Sequence, residues 1–101
     1  PDFAHKLSRR VLEEEGSFGV LICGTGIGMS LSANKHKGMR AALCHDAYTA
    51  QMAREHNDAN VLCFGQRVVG LGVIESICKA WCESEFQGGR HADRVKKIET
   101  D

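Results

Sequence analysis

The sequence predicts an α/β domain whose parallel sheet is covered by helices on both faces. Short apolar runs at residues 18–23, 41–44 and 60–65 alternate with segments that have helical periodicity. A strand that is followed by a helix and another strand forms a right-handed crossover, which makes the strands parallel. The carboxyl ends of parallel strands share one edge of the sheet, and ligands bind beyond that edge. We therefore expect a functional site there.

The first half of the chain predicts a helix, a strand and a second helix. Residues 2–15 have helical spacing, with Asp2 at the start, Gly16 as the stop and an apolar face formed by Phe3, Leu7, Val11 and Leu12. The run "FGVLIC" does not alternate, which is typical of a strand buried on both faces. A helix over residues 28–36 follows and is broken by "KGMR"; its packing residues are Met29, Leu31, Ser32 and Ala33.

The second half repeats this alternation. "AALC" predicts a second buried strand, and residues 46–57 predict a helix with Asp46 as its N-cap and a tight face of Ala47, Ala50, Met52 and Ala53. "NVLCFG" predicts the third strand. Residues 71–86 predict a long helix, and residues 88–101 predict a turn and a short charged helix. We expect residues 1–101 to form a single domain.

Composition excludes several classes of partner. Thirteen Lys and Arg residues balance thirteen Asp and Glu residues, so no net field attracts nucleic acid or an anionic membrane. No apolar run approaches the roughly 20 residues of a membrane span, and the start has no signal-peptide core. Five cysteines without a Cys-x-x-Cys pair indicate a reducing compartment. We expect a cytoplasmic protein that binds neither nucleic acid nor membrane.

Cysteines also raise the question of a metal. Cys78 and Cys82 would lie one turn apart on a helix, but no third or fourth ligand lies nearby in the sequence. Packing is the better interpretation of this pair, and we expect no metal site.

Residues 20–35, "VLICGTGIGMSLSANK", lead from the first strand through alternate glycines into a helix. Gly24, Gly26 and Gly28 permit a close backbone approach to a ligand, and N–H groups at a helix start can hold an anion or a developing oxyanion. The pattern differs from Gly-x-Gly-x-x-Gly, and no acidic residue ends the next strand, which disfavours a nicotinamide site. Cys23 at this helix start is either a thiol with a lowered pKa, available as a base or nucleophile, or a small buried hydrophobe.

Other candidate residues are basic or carry an amide. His56 and Asn57 lie before the third strand, at its amino end, where the sequence alone favours a helix-capping role for His56. Arg67 follows the third strand. Arg90 and Arg94 are four residues apart on one helical face, which suits either a bound phosphate or carboxylate or a solvated surface.

In combination, "LICGTGIGMSLSANK", "EHNDANVL", "FGQRVVG" and "QGGRHADR" resemble the ribose-5-phosphate isomerase B family, which also includes the galactose-6-phosphate isomerase subunits. The resemblance covers the whole chain. It implies a Rossmann-like three-layer sandwich and a metal-free aldose–ketose isomerase of the pentose phosphate pathway, with no cofactor. It also implies a homodimer or homotetramer whose pocket, shared between subunits, binds a phosphorylated sugar.

The resemblance assigns a role to each candidate residue. Cys23 matches the thiol that moves a proton from sugar C2 to C1 through an enediolate. The loop that stabilises the oxyanion is matched by Gly24, Thr25, Gly26, Ile27 and Gly28. His56 matches the residue that opens the furanose ring, with Asn57 beside it, and the phosphate ligands are matched by Arg67, Arg90 and Arg94. The resemblance, rather than the spacing, favours catalysis over capping for His56.

One departure from the family pattern affects these expectations. Family members begin with a strand–helix–strand segment that carries an Asp-His pair, and this chain begins after it, at Pro1. We expect either a fragment or a shortened homologue.

Other functions remain open at this stage. A subunit acting on galactose 6-phosphate or allose 6-phosphate is one alternative. A non-catalytic sugar-phosphate-binding module is another, and it would not need Cys23. A cysteine phosphatase is disfavoured because Met29 stands where the Cys-x5-Arg cradle needs its arginine.

Overall fold

A computed structural model describes residues 1–99. Its elements in chain order are α1 (Asp2–Glu13), β1 (Gly19–Cys23), α2 (Ile27–Ala33), β2 (Ala41–Leu43), α3 (Ala47–Glu55), β3 (Val61–Gly65), α4 (Leu71–Glu83) and α5 (Arg90–Ile98). The order of helices and strands is the predicted one. The last two residues of the predicted terminal segment, 100 and 101, lie outside the described residues.

The three strands form one parallel sheet in the order β1-β3-β2. Gly19 lies opposite Val61 and Cys23 opposite Gly65, while Ala41 in β2 also lies opposite Val61. All three strands therefore begin at one edge, and β3 is the central strand. The predicted parallel α/β sheet is confirmed.

Helices cover the sheet on two faces, which confirms the Rossmann-like three-layer sandwich. On one face, α1 and α2 pack on the sheet through the buried residues Ala4, Val11, Leu21, Ala33, Met39, Val61 and Cys63. On the other face, α3 and α4 form a second core made of Cys44, Ala50, Ala53, Ala59, Leu62, Phe64, Val69, Ile77 and Trp81. Strand β3 contributes to both cores and is buried along its whole length.

The prediction that the first strand is buried on both faces is wrong. Side chains along β1 alternate, and Val20 and Ile22 are 48% and 50% exposed. The core on that face includes no residue of β1. A continuous apolar run shows only that both faces of a strand can be buried. Burial also requires a layer of helices over each face, and the layer formed by α3 and α4 does not extend over β1.

The predicted packing faces of the first two helices also need correction. Helix α1 buries Ala4, Ser8 and Val11, whereas Phe3 is 75% exposed and Leu12 is 48% exposed. Helix α2 likewise buries Ser30 and Ala33 and leaves Leu31 exposed. These two helices pack against each other, and small side chains allow their backbones to approach closely. The Ser8 hydroxyl is satisfied because it donates to the Ala4 carbonyl at 2.7 Å.

Helix boundaries differ from the predictions by a few residues. Helix α2 begins at Ile27 with Gly26 as N-cap, and α4 ends at Glu83. The predicted N-cap of α3 is confirmed, since the Thr49 N–H donates to Asp46 Oδ1 at 2.7 Å within a capping box. Such a cap stabilises a helix by about 1 kcal/mol.

Helix α5 lies outside both cores. None of its residues is buried, although Ala92, Val95 and Ile98 form an apolar face. Just beyond the helix, Glu99 accepts a hydrogen bond from Arg40 Nη1 at 2.6 Å. Among the described helices, none is long and apolar enough to cross a membrane.

The exposed face of β1 predicts self-association of the chain. Among residues 1–99, β1 pairs with β3 alone, so its other edge has unpaired N–H and C=O groups beside Val20 and Ile22. Replacing both residues with Lys should shift the sedimentation coefficient at high concentration towards that of the monomer. The matched control is Tyr48→Lys, which removes an exposed side chain from α3 and should leave association unchanged. Equal association in all three proteins would contradict this prediction.

Candidate functional site

The glycine loop packs directly on the end of the central strand. A Cβ atom at Gly65 would lie 2.5 Å from the Thr25 Cα atom, and one at Gly26 would lie 2.5 Å from Leu43 Cδ1. Gly26 also has a φ of +81°, a conformation that glycine adopts without strain. Only glycine fits at these two positions, and the loop between β1 and α2 is thereby fixed.

This loop surrounds the Cys23 thiol with N–H groups. Cys23 is the last residue of β1, and the Gly26 N–H donates to its Sγ at 3.1 Å. Partial burial would raise the pKa of Cys23, but the N–H groups of Gly26, Thr25 and Met29 outweigh burial and lower the pKa below its ordinary value. Cys23 therefore has the character of an activated thiol.

Two other cysteines have the opposite character. Burial raises the pKa of Cys44 to about 11 and that of Cys63 to about 12. Both side chains belong to the hydrophobic cores. These thiols stay protonated and act as small hydrophobes, so the lowered pKa distinguishes Cys23 from the buried cysteines.

Thr25 and Gly28 of the same loop are exposed. The exposed Thr25 side chain accepts the Ile27 N–H at 3.2 Å, and a Cβ atom at Gly28 would meet no atom within 4 Å. Arg67 lies beside the loop: its N–H donates to the Gly24 carbonyl at 3.0 Å, and its side chain passes along Gly24. The structure thus brings residues 23–28 and Arg67 together at the carboxyl edge of the sheet.

His56 and Asn57 lie at the opposite edge. His56 is the C-cap of α3, with its N–H donating to the Met52 carbonyl at 2.9 Å. Asn57 lines a cavity of about 540 Å³ together with Arg40 and Ala41, which mark the amino end of β2. The capping position that the sequence favoured for His56 is confirmed, and it leaves the imidazole ring available.

Helix α5 begins beside His56. The Gln87 N–H donates to the Glu55 carbonyl at 3.0 Å, which holds the segment before α5 against the end of α3. The imidazole rings of His56 and His91 then stack, with centroids 4.1 Å apart and planes 9° from parallel. Arg90 and Arg94 flank His91 along the same helix, so the predicted arginine pair and His56 belong to one region.

Sequence reasoning did not identify His91 as a site residue. The residue lies within the quoted motif "QGGRHADR", between the two arginines that were identified. Its position one residue after Arg90 on the same helix was the available signal. Contact with His56, 35 positions earlier, depends on how α5 packs on α3 and has no sequence pattern.

The candidate site is therefore divided into two halves. The half with Cys23 lies where β1 and β3 end, and the half with His56 precedes their start, so the length of the strands separates them. The first and last Cα atoms of a five-residue strand are four steps of roughly 3.3 Å apart, about 13 Å in all. In one copy of the chain, the two halves therefore lie at opposite edges of the sheet.

These features define a class of protein: a parallel α/β fold whose carboxyl edge presents an activated thiol, a glycine loop of N–H groups and an arginine. The chain belongs to the Ribose/Galactose Isomerase family, whose family model matches residues 1–98. The predicted resemblance is confirmed.

Individual relatives are about half identical to this chain over the 98 residues that align. The protein YwlF of Bacillus subtilis is 53% identical over 98 residues, which are 97% of this chain and 66% of YwlF. Ribose-5-phosphate isomerase B of Escherichia coli is 48% identical over 97% of this chain and 66% of its own length. D-erythrulose-4-phosphate isomerase of Pectobacterium atrosepticum is 47% identical over 97% of this chain and 64% of its own length.

Solved structures give the same result for the fold. Ribose-5-phosphate isomerase B of Clostridium thermocellum superimposes with a TM-score of 0.95 at 54% identity, covering 98% of this chain and 67% of that protein. The chain spans just under two thirds of the length of the first relatives, 66% in both YwlF and the Escherichia coli enzyme.

The lowered pKa of Cys23 predicts that alkylation of this thiol speeds up at a lower pH than alkylation of an ordinary thiol. The thiolate is the reacting form, so the rate of Cys23 modification by iodoacetamide should increase at a lower pH in the folded chain than in the same chain unfolded in urea. At pH 7 we expect faster modification of Cys23 in the folded chain than in the unfolded chain, measured by mass spectrometry of the Cys23 peptide. For the buried Cys44 and Cys63, the rate should increase at a higher pH in the folded chain than in the unfolded chain. Coincident folded and unfolded curves for Cys23 would contradict the prediction.

Proposed function

We propose that this chain is a metal-independent aldose–ketose isomerase that interconverts ribose 5-phosphate and ribulose 5-phosphate. The single observation that carries the proposal is the Cys23 thiol, whose sulfur accepts the Gly26 N–H at the carboxyl edge of the sheet. The names of the Escherichia coli and Clostridium thermocellum relatives support ribose 5-phosphate as the substrate.

The reaction needs one base that both removes and returns a proton. The Cys23 thiolate takes the proton from C2 of the open-chain aldose, and the electron pair moves through C1 onto the carbonyl oxygen, which gives an enediolate. The thiol then returns the proton to C1, while the O2 hydroxyl proton moves to O1. Atoms and electrons balance without an oxidant, and a thiol with a lowered pKa suits both steps.

The glycine loop would stabilise the negative charge of the enediolate. The Gly26 N–H lies 3.1 Å from the Cys23 sulfur, and a Cβ atom at Gly28 would meet no atom within 4 Å. Fixed N–H dipoles stabilise a developing oxyanion because they need no reorganisation during the reaction. Thr25 is exposed at the same place, where its hydroxyl can contact the substrate.

Ring opening and phosphate binding would use the other half of the site. His56 moves protons as the furanose ring opens, and Asn57 lies next to it in the chain. Arg90 and Arg94 are both exposed near His56, where their guanidinium groups can bind a phosphate with charge-assisted hydrogen bonds. Arg67 lies in the thiol half and can contact the phosphate from that side.

A pocket shared between two copies would unite the halves. Because they lie at opposite edges of one sheet, the thiol half of one subunit has to meet the His56 half of another. Helix α5 carries both arginines. Its apolar face is not buried in the domain and is available to pack on a second copy. A two-fold dimer would form two such pockets, since each subunit supplies both halves. We propose a homodimer as the smallest functional unit.

The lowered pKa of Cys23 favours an enzyme over a phosphate-binding module. A thiolate repels a phosphate anion, so a module that only binds gains nothing from N–H groups that promote the thiolate. Substrate size is the finer part of the proposal. The Pectobacterium atrosepticum relative is named for a four-carbon substrate, which makes other phosphosugars, including galactose 6-phosphate and allose 6-phosphate, the alternatives to test.

Proton exchange tests the role of Cys23. The assay compares the chain alone with an extended chain, which is this chain preceded by the strand–helix–strand segment that the family resemblance implies, both with EDTA present. In deuterium oxide, Cys23→Ala should lower exchange of the substrate C2 proton by about 10² to 10⁴-fold, because the base is lost. Substrate binding should persist. Cys82→Ala, at an exposed site on α4, is the matched control. Unchanged exchange in Cys23→Ala would overturn the assignment.

Hybrid subunits test the shared pocket. We expect little activity from a chain with Arg90→Ala and Arg94→Ala and little from Cys23→Ala, because each lacks one half of every pocket. Mixed dimers of the two should regain up to about half of the activity per dimer, since one of two pockets is then intact. The measurement is isomerase activity after mixing, with hybrid formation checked by native mass spectrometry. Verified hybrids without activity would place the arginines in the pocket of their own subunit.

A further inference from the structure

We propose that His91 is a positioning residue for His56: its imidazole lies flat against the His56 ring and fixes the plane in which that ring meets the sugar. The inference rests on the proposed function, because it concerns the step in which His56 opens the furanose ring.

The contact joins two separate elements. His56 is the C-cap of α3, and His91 lies in the first turn of α5. The rings are 4.1 Å apart and 9° from parallel, a face-to-face stack rather than a glancing contact. The backbone of His56 is held by its hydrogen bond to Met52, but the imidazole retains two side-chain torsions. Stacking on His91 restricts both torsions.

The surroundings of His91 favour its uncharged form. Two protonated imidazole rings at this distance would repel each other, and Arg90 and Arg94 add further positive charge. The pKa of His91 lies below its ordinary value. The largest cause is partial burial of the ring, and the nearby His56, Arg90 and Arg94 add to it. His91 is therefore uncharged at neutral pH and acts through the face of its ring.

Ring opening depends on the orientation of His56. The O1 hydroxyl loses its proton, the C1–O4 bond breaks, and O4 takes up a proton, so the reacting imidazole nitrogen has to lie in line with these atoms. A displacement of about 1 Å from the productive geometry can cost 10²-fold in rate. A flat neighbour that holds the imidazole in one plane prevents such a displacement without touching the substrate.

Substitutions in the extended chain separate this role from a structural one. His91→Ala should lower kcat for ribose 5-phosphate by roughly tenfold to 10²-fold. The change should be less than about twofold for a tetrose 4-phosphate, whose O4 carries the phosphate and closes no furanose ring. His91→Phe keeps a flat, uncharged ring and should restore most of the activity. The control is Lys97→Ala, an exposed position on α5. Equal losses on both sugars, or no rescue by Phe, would overturn the proposal.

Nuclear magnetic resonance tests the stack without any assay of activity. In the folded 101-residue chain, ring current from His91 should shift the His56 Cε1 proton, which is assigned by its loss in His56→Gln. The shift should disappear in His91→Ala and persist in His91→Phe. If the wild type isomerises no sugar phosphate, the proposed function fails. The ring-current shift still shows whether His91 stacks on His56. A His56 signal unchanged by His91→Ala would overturn the positioning role.

Discussion

The structure depends on one close backbone contact, that between Gly65 at the end of the central strand and the loop at residues 24–26. Strand β3 is buried on both faces, so its end is a fixed support. The loop is held on it by the Gln66 N–H, which donates to the Cys23 carbonyl at 2.8 Å, and by the Arg67 N–H, which donates to the Gly24 carbonyl. A single methyl group at position 65 would displace the loop and the N–H groups around the thiol.

The fold was predictable where the signal is local or depends on chain connectivity. Alternation of strands and helices gave the parallel sheet, and Asp46 gave the start of α3 because a cap acts within one turn. Burial of β1 was wrongly predicted because Val20 and Ile22 depend on whether another layer reaches them. The packing face of α1 was wrongly predicted because hydrophobicity ranks Phe3 above Ala4, whereas closely packed helices favour the smaller side chain.

The site was predictable in the same way. Cys23 and its loop are neighbours in sequence, and topology places them at the carboxyl edge, so their proximity followed directly. The amino-edge position of His56 also followed from topology, but its suggested role came from the family resemblance. His91 was missed because its stack on His56 arises from the packing of α5 against the end of α3, which no periodicity describes.

Helix α5 is attached to the domain without belonging to either hydrophobic core. At its start it contacts the domain through the His56–His91 stack, and just beyond its end through the ion pair between Arg40 and Glu99. Neither hydrophobic core includes any of its side chains. Dissolved salt screens an ion pair but does not weaken apolar packing in the same way. Ionic strength therefore acts on the attachment of α5 at Arg40 and not on the two cores.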